Sequence, residues 1–560
     1  MTSHTRNQRV RSKVPKADYP TILLHWALLA ALIVSFVTGM QIAADDPAST
    51  WAKSLRWILP QGNVIVWHLI SALLFAAIVV AYTAFLWSAG MLRRISLNKK
   101  WWRMLISAKD SKTRWRSINT LIYWLGFAAL IFAFITGLLM DLFVSEAYYA
   151  ASASIHQFAA WTLPIYILLH VTALVIMSGW AFLLKLFRPR IAYSSAALVA
   201  LGAGGVAAAA LFMLQSTVPA QFLNVAKTTG SPKMDGKASE AVWEEADEVV
   251  VLTTRGENLP DGAVEVSIKA LHDDEHLYAL IQWPDSTRSQ KHLPLIKTET
   301  GWIVQQTEYG IQDEDAYYED KFGVMLSDRG RVAGNHSIHM GAQPLEGKPG
   351  PAGNRGLHYT TDGSIVDVWH WKSVRTGNSV MGQIDDNYFG PPMKPKDKGR
   401  YTGGYNKDPK DGGGYEMNWD SYSDAGIVPK YLPADPDMLE VFQHLNMSPS
   451  MTDRVPVYLN KADVVPYKAS LDTIEDYPVG TVMPSVIVDA AMTGDRGDVT
   501  AKSIWHNGTW TMEIKRKLDT GSQFDVAFRK DRPTYLWVSA FNHTQTRHSR
   551  HLYPVIVELE

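Results

Sequence analysis

The sequence predicts an α + β multidomain protein in which a five-helix transmembrane bundle is followed by an antiparallel β-sandwich. Three observations carry this expectation. Long apolar runs are confined to roughly the first 216 residues, and the rest is polar, Gly- and Pro-rich and patterned in short segments. Charge divides at the same place: residues 1–216 hold 19 Lys+Arg against 6 Asp+Glu, and residues 217–560 hold 35 against 49. The net charge of −1 thus averages a basic part and an acidic part. The chain has no cysteine, which excludes thioether-linked haem, iron–sulfur clusters, thiolate zinc sites and disulfides.

Taken in order, five apolar segments near 22–40, 64–87, 118–140, 155–184 and 193–215 meet the roughly 20 residues a helix needs to cross a bilayer. The first runs on through about 19 residues without a cleavage site, so it reads as a span and not as a removable signal peptide. The N-terminal tail, the 88–117 loop and the 185–190 turn carry five, nine and three basic residues; the loops 41–63 and 141–154 carry only Lys53 and Arg56. The positive-inside rule then places the N-terminus in the cytoplasm and everything after about residue 216 in the periplasm. The domains expected are a basic tail (1–20), a four-helix unit (21–190), a fifth transmembrane helix (191–216) and a periplasmic β-domain (217–560).

Four histidines, His25, His68, His156 and His170, fall within or at the edge of these spans. Ionisable residues at membrane depth point to function. His156 and His170 are 14 residues apart on one helix, nearly four turns, so they face the same way about 21 Å apart. That separation suits two haems hung from one helix. Depth pairs His68 with His156 on the outer side and His25 with His170 on the inner side. Neutral imidazole is a good iron ligand, and a bis-His iron transfers electrons without binding substrate. Hydrogen-bonded structural histidines are the alternative, which pairing by depth across three helices disfavours. SFVTGM (35–40) and AFITGL (133–138) place Gly39 and Gly137 at matching depth; glycine there permits close approach of a flat macrocycle or, equally, tight helix packing.

LLHW (23–26), WHLISALLF (67–75), the TG-ended third helix and HQFAAWTLPIYILLH (156–170) resemble the bacterial b561-type di-haem cytochromes, which include the cytochrome subunits of nickel–iron hydrogenase and formate dehydrogenase. The resemblance spans roughly 15–190. It implies two haem b groups, quinone or quinol as the exchangeable redox partner, membrane lipid as the surroundings, and the bacterial inner membrane as the location. The fifth helix, ALVALGAGGVAAAALFML (197–214), is rich in small residues suited to packing against a neighbour.

Beyond residue 217, short runs such as VEVSIKAL (264–271), LYALIQW (277–283), FGVMLS (322–327) and TYLWVSAF (534–541) alternate or are β-branched and are bounded by turn residues. This is the pattern of a β-sandwich. Near 341–436 lies a Gly/Pro-rich insertion that reads as a functional or a flexible loop. MDGKASEAVWEEA (234–246), IKALHDDEHLYALIQWPD (268–285), DKFGVML (320–326), DVWHWKSVR (367–375) and RHSRHLYPVIVEL (547–559) resemble the haem-binding domain of the ethylbenzene dehydrogenase gamma subunit. The first two also resemble a carbohydrate-binding β-sandwich family. The haem-binding resemblance implies a third haem b held by one central ligand, His339 or Met340, and by His548 near the C-terminus. His548 stands where the type member of that family has Lys. His358 and His370 are the next candidates, and ordinary sheet packing accounts for Trp369 and Trp371 around His370.

The function expected is a membrane-anchored multihaem cytochrome moving electrons between the quinone pool and a periplasmic redox partner. At most it is a quinol:periplasmic-acceptor oxidoreductase or a subunit of one. The acidic domain would steer a basic redox protein or reductase subunit; no nucleic-acid partner is implied. Two alternatives are a carbohydrate-binding or sensing protein with a cytochrome anchor, and an outer-sphere reductase of a small acceptor. No catalytic triad, phosphate loop or zinc motif stands out.

Overall fold

The structure is a computed structural model, which describes residues 17–44, 55, 58–60, 64–92, 96–142, 146–190, 195–217, 220–307, 314–329, 338–341, 345–349, 357–396, 401–420, 426–446 and 457–560. The chain forms two compact units, 1–42 with 64–219 and 43–63 with 220–560.

The first unit contains α1 (Tyr19–Ala44), α2 (Val64–Ser88), α3 (Lys99–Ser107), α4 (Ser111–Leu142), α5 (Glu146–Ser178) and α6 (Ser195–Thr217). All but α3 are long and apolar enough to cross a membrane. Large apolar side chains such as Leu125, Phe158 and Leu201 are outward-facing and exposed, as a lipid-facing surface requires. The protein is therefore a multi-pass membrane protein. α4 packs along α5, and α6 packs along α2. At Gly204 of α6 an added Cβ would lie 2.9 Å from Ala81 Cβ of α2, so small residues let these two backbones approach.

Two boundaries differ from the sequence expectation. The fourth span ends at Ser178 because Gly179 takes φ +74°, and a 3-10 helix, Trp180–Phe187, follows. The basic 88–117 loop contains α3, whose start is capped by Asn98 Oδ1 accepting from Trp101 N–H at 3.0 Å. The buried Trp101 indole donates to the Ser117 carbonyl at 3.1 Å.

The second unit is built on one twelve-stranded sheet. Its strands are β1 (Gln221–Lys227), β2 (Glu248–Thr253), β3 (Val264–His272), β4 (His276–Pro284), β5 (Lys321–Ser327), β6 (Val366–Lys372), β7 (Asp385–Phe389), β8 (Tyr405–Lys407), β9 (Thr500–His506), β10 (Thr509–Lys517), β11 (Thr534–Phe541) and β12 (Val555–Leu559). The order is β8-β7-β6-β5-β11-β12-β1-β3-β4-β10-β9, with β2 also on β3. Pairing is antiparallel except at β12–β1 and β1–β3, which are parallel. The sheet curls so that both halves face one core. Val266, Ile268 and Ala270 meet Phe322, Val324, Leu326, Trp369 and Trp371 there. Trp283 stacks on Phe322 with ring centres 4.5 Å apart, and Trp371 meets Trp510 at 5.1 Å.

The Gly/Pro-rich insertion is not a loop throughout. It supplies β6 and β7, which bury Trp369, Trp371 and Phe389, and a hairpin pairing Ile338–Gly341 with Leu357–Thr360. A second core around Trp302, Leu432, Phe442 and Tyr477 sits with the short strands Leu295–Thr298, Gly301–Val304 and Val482–Met483.

Candidate functional site

α1 and α4 carry the same local pattern, Ser35 to Gly39 and Ala133 to Gly137, and each receives a histidine from the helix that follows it among the spans. His68 Nδ1–H of α2 donates to the Ser35 carbonyl at 2.9 Å, with Thr38 Oγ1 at 3.2 Å. His156 Nδ1–H of α5 donates to the Ala133 carbonyl at 2.7 Å, with Thr136 Oγ1 at 3.4 Å. Both threonine hydroxyls donate to the carbonyl four residues back, Val34 and Phe132, at 2.6 Å. A Cβ added at Gly39 or Gly137 would lie 3.1 Å from the Cε1 of His68 or His156. The matched glycines therefore make room for imidazoles, a role neither sequence reading contained.

A carbonyl only accepts, so each Nδ1 carries the proton and each Nε2 keeps the lone pair that binds metal. The His68 and His156 ring centres are 6.1 Å apart. An iron between two imidazoles needs about 2 Å of Fe–N bond on each side and about 1 Å more to each ring centre, or about 6 Å. The residues present fit that requirement.

His25 of α1 and His170 of α5 lie within electrostatic reach of each other. His170 stacks on Tyr166 at 5.8 Å and meets Tyr123 at 4.8 Å, and its buried Nδ1 has no hydrogen-bond partner among the described residues. Gly126 of α4 underlies this arrangement, since a Cβ there would come within 2.4 Å of the Tyr166 ring. No motif in the sequence reading contained Gly126 or Tyr123, and Tyr166 lay within HQFAAWTLPIYILLH (156–170) without being singled out. All four membrane histidines are half-buried.

In the β-domain, the face of the sheet opposite the core gathers a second set. Trp369 and Trp371 point into the core, and His370 between them stacks on Phe541 with ring centres 5.4 Å apart. His548 packs on the same Phe541 at 4.7 Å, and its Nδ1–H donates to the Ser549 carbonyl at 2.7 Å. Burial, with Arg550, Lys321 and His358 nearby, draws His548 down to about 4, so it is neutral at neutral pH. Gly323 pairs in register with both His370 and Ser539, and a Cβ added there would lie 2.6 Å from Ser539 Oγ, so the glycine makes room for that hydroxyl. His339 and Met340 lie in the 338–341 strand opposite Tyr359 and His358; their side chains are outside the described residues. His551 is a structural histidine: its Nδ1–H donates to the Tyr553 carbonyl at 2.7 Å and its Nε2 accepts from Val538 N–H at 2.9 Å.

A bundle of membrane-length helices carrying four histidines, followed by a curled β-domain, is the architecture expected of a membrane cytochrome with a large β-rich extension. The family models agree. The chain belongs to the ethylbenzene dehydrogenase family, whose model matches residues 240–552, more than half of its length, and the prokaryotic cytochrome b561 model matches residues 16–187. The membrane half is accordingly that of a b-type electron-transfer cytochrome, with haem b as its cofactor. No protein of curated function matches the chain. Among solved structures, a family 9 carbohydrate-binding module from Caldicellulosiruptor kristjanssonii in complex with glucose is similar at 8% identity and TM-score 0.21, covering 60% of this chain and 95% of that one. The same module in complex with cellotriose matches at 8% identity and TM-score 0.21, covering 61% and 94%. Likeness of this size carries no argument about ligand.

Proposed function

We propose that the protein moves electrons between membrane quinone and a redox partner on the far side of the bacterial inner membrane. The spacing and hydrogen bonding of His68 and His156 carry this reading. Those two residues would hold one haem b, and His25 with His170 a second. When bound, the haems supply reversible one-electron chemistry from six-coordinate iron. The chain's own contribution is orientation: the carbonyls of Ser35 and Ala133 set the tautomer and ring angle of the two imidazoles, as outer-shell partners do at metal sites generally.

In the β-domain a third haem b would be held by His548, with His339, Met340 or His358 of the 338–341/357–360 hairpin opposite. What supports His548 is its packing on Phe541, with ring centres 4.7 Å apart, on the face of the sheet away from the core. The acidic balance of residues 217–560 suits a basic partner.

The test is a pyridine haemochrome assay on the purified full-length chain, followed by addition of a quinol analogue to the oxidised protein. Three b haems per chain that become reduced by quinol support the reading in full. Two haems remove the β-domain site. A protein without haem, or one that quinol leaves oxidised, overturns the electron-transfer proposal.

A further inference from the structure

Five aspartates from segments far apart in sequence converge at one end of the sheet. Asp367 is in β6, Asp386 in β7, Asp408 follows β8, Asp498 precedes β9, and Asp525 lies between β10 and β11. Asp367 and Asp386 are fully buried and Asp408 is 3% exposed. Arg516 is the guanidinium among them, with Nη2 3.1 Å from Asp367 Oδ2 and 3.0 Å from Asp525 Oδ2.

The hydrogen bonding of the cluster is divided between the two oxygens of three of these carboxylates. Asp367 Oδ2 accepts from Val526 N–H at 3.1 Å, Asp386 Oδ1 from Asn387 N–H at 2.9 Å, and Asp525 Oδ2 from Thr520 Oγ1 at 2.5 Å. Among the described residues no N–H donor reaches the second, buried oxygen of each: Asp367 Oδ1, Asp386 Oδ2 and Asp525 Oδ1. Both oxygens of Asp408 and Asp498 Oδ1 likewise meet no N–H donor among the described residues, their neighbours being the carboxyls of Asp525 and Asp386. Ligand oxygens of Asp367, Asp386 and Asp525 lie within 4.8 Å of one another. Oxygens bound at about 2.4 Å to one Ca²⁺ are at most about 5 Å apart. Asp408 adjoins Asp525, and Asp498 adjoins Asp386.

We propose that this cluster is a Ca²⁺ site in which one bare oxygen from each of Asp367, Asp386 and Asp525 binds the ion and Asp408 and Asp498 complete the shell. Five carboxylates against one guanidinium leave a charge deficit that a buried site must compensate. Six bare oxygens match the six to eight that Ca²⁺ takes, and all are hard ligands. The oxygens already hydrogen-bonded hold the carboxylates in place as an outer shell does. Asp498 and Arg516 also line a surface cleft with Asp495, Thr520, Lys515 and Lys517, so the cluster reaches the surface at Asp498. The competing solution is protonation: burial, with Asp525 and Asp367 alongside, pushes the Asp408 carboxyl up to about 8. Protons shared between facing carboxyls would then replace the ion.

The experiment uses the full-length protein, stripped with EDTA and exchanged into metal-free buffer. Calorimetric titration with Ca²⁺ should give one ion per chain, and Ca²⁺ should raise the unfolding temperature of the wild type. Asp386→Asn and Asp408→Asn should lose at least tenfold in Ca²⁺ affinity while keeping the haem spectrum of the wild type. Absence of Ca²⁺ uptake by the stripped wild type overturns the site whether or not the variants fold. Unchanged affinity in folded Asp386→Asn and Asp408→Asn overturns it as well.

Discussion

At Gly39 and Gly137 an added methyl would press on the Cε1 of His68 and His156 at 3.1 Å, tighter than a ring held by its own hydrogen bond tolerates without moving. Gly39→Ala and Gly137→Ala are each expected to shift the midpoint potential of one haem in a redox titration and to leave the other unchanged. Equal shifts in both haems would dissociate these glycines from the His68–His156 pair. His68→Ala or His156→Ala should each lower the haemochrome yield by one haem per chain, and the double variant should lose no more than either single. His548→Ala should remove one haem independently of those two; an unaltered yield would exclude His548 as a ligand.

Among the elements, the segment after β11 and the stretch leading into β5 carry a pH response. Burial draws His543 and His551 down to about 4, and His292 to about 4 through burial and the Arg375 guanidinium. An unfolded histidine titrates near 6.5, so between about pH 6.5 and 4 the unfolded chain binds protons that the native one refuses. The stability these groups contribute is present above pH 6.5 and lost as pH falls towards 4. Glu319 adds a later loss. Burial pushes its carboxyl up, but Arg375 and His292 more than offset this and hold it well below the carboxylate range. The β-domain signal in near-UV circular dichroism should therefore melt at progressively lower temperature as pH falls from 6.5 to 4. A flat melting temperature across that window would contradict the burial of these imidazoles.

For the whole molecule, the uneven charge is the feature with kinetic consequences. Residues 217–560 hold 49 acidic against 35 basic side chains, and an excess of that size accelerates encounter with a basic partner only at low ionic strength. Reduction of a small basic acceptor protein by the quinol-reduced cytochrome should slow at least tenfold between low salt and about 0.5 M, where the Debye length falls below about 5 Å. Rates indifferent to salt would remove electrostatic steering from the proposed function.

The five spans and the β-rich second half were legible in the chain by itself, and so was the placement of four histidines on membrane-length helices. Each rests on a one-dimensional property: apolar run length, charge count, alternation, or the spacing of a rare residue type. The Gly/Pro-rich stretch was misleading because β6 and β7 are short and flanked by turns, and only pairing with β5 makes them strands of the central sheet. The role of Gly39 and Gly137 depended on a ring arriving from another helix. Likewise, β12 pairs with β1 across more than 300 residues, and the five aspartates meet only once the sheet has curled. Periodicity records what one segment buries; which segments share a hydrogen bond or a charge is decided when they pack. That is why the atoms that orient His68 and His156, the surroundings of Phe541 and the acidic cluster belong to the tertiary structure alone.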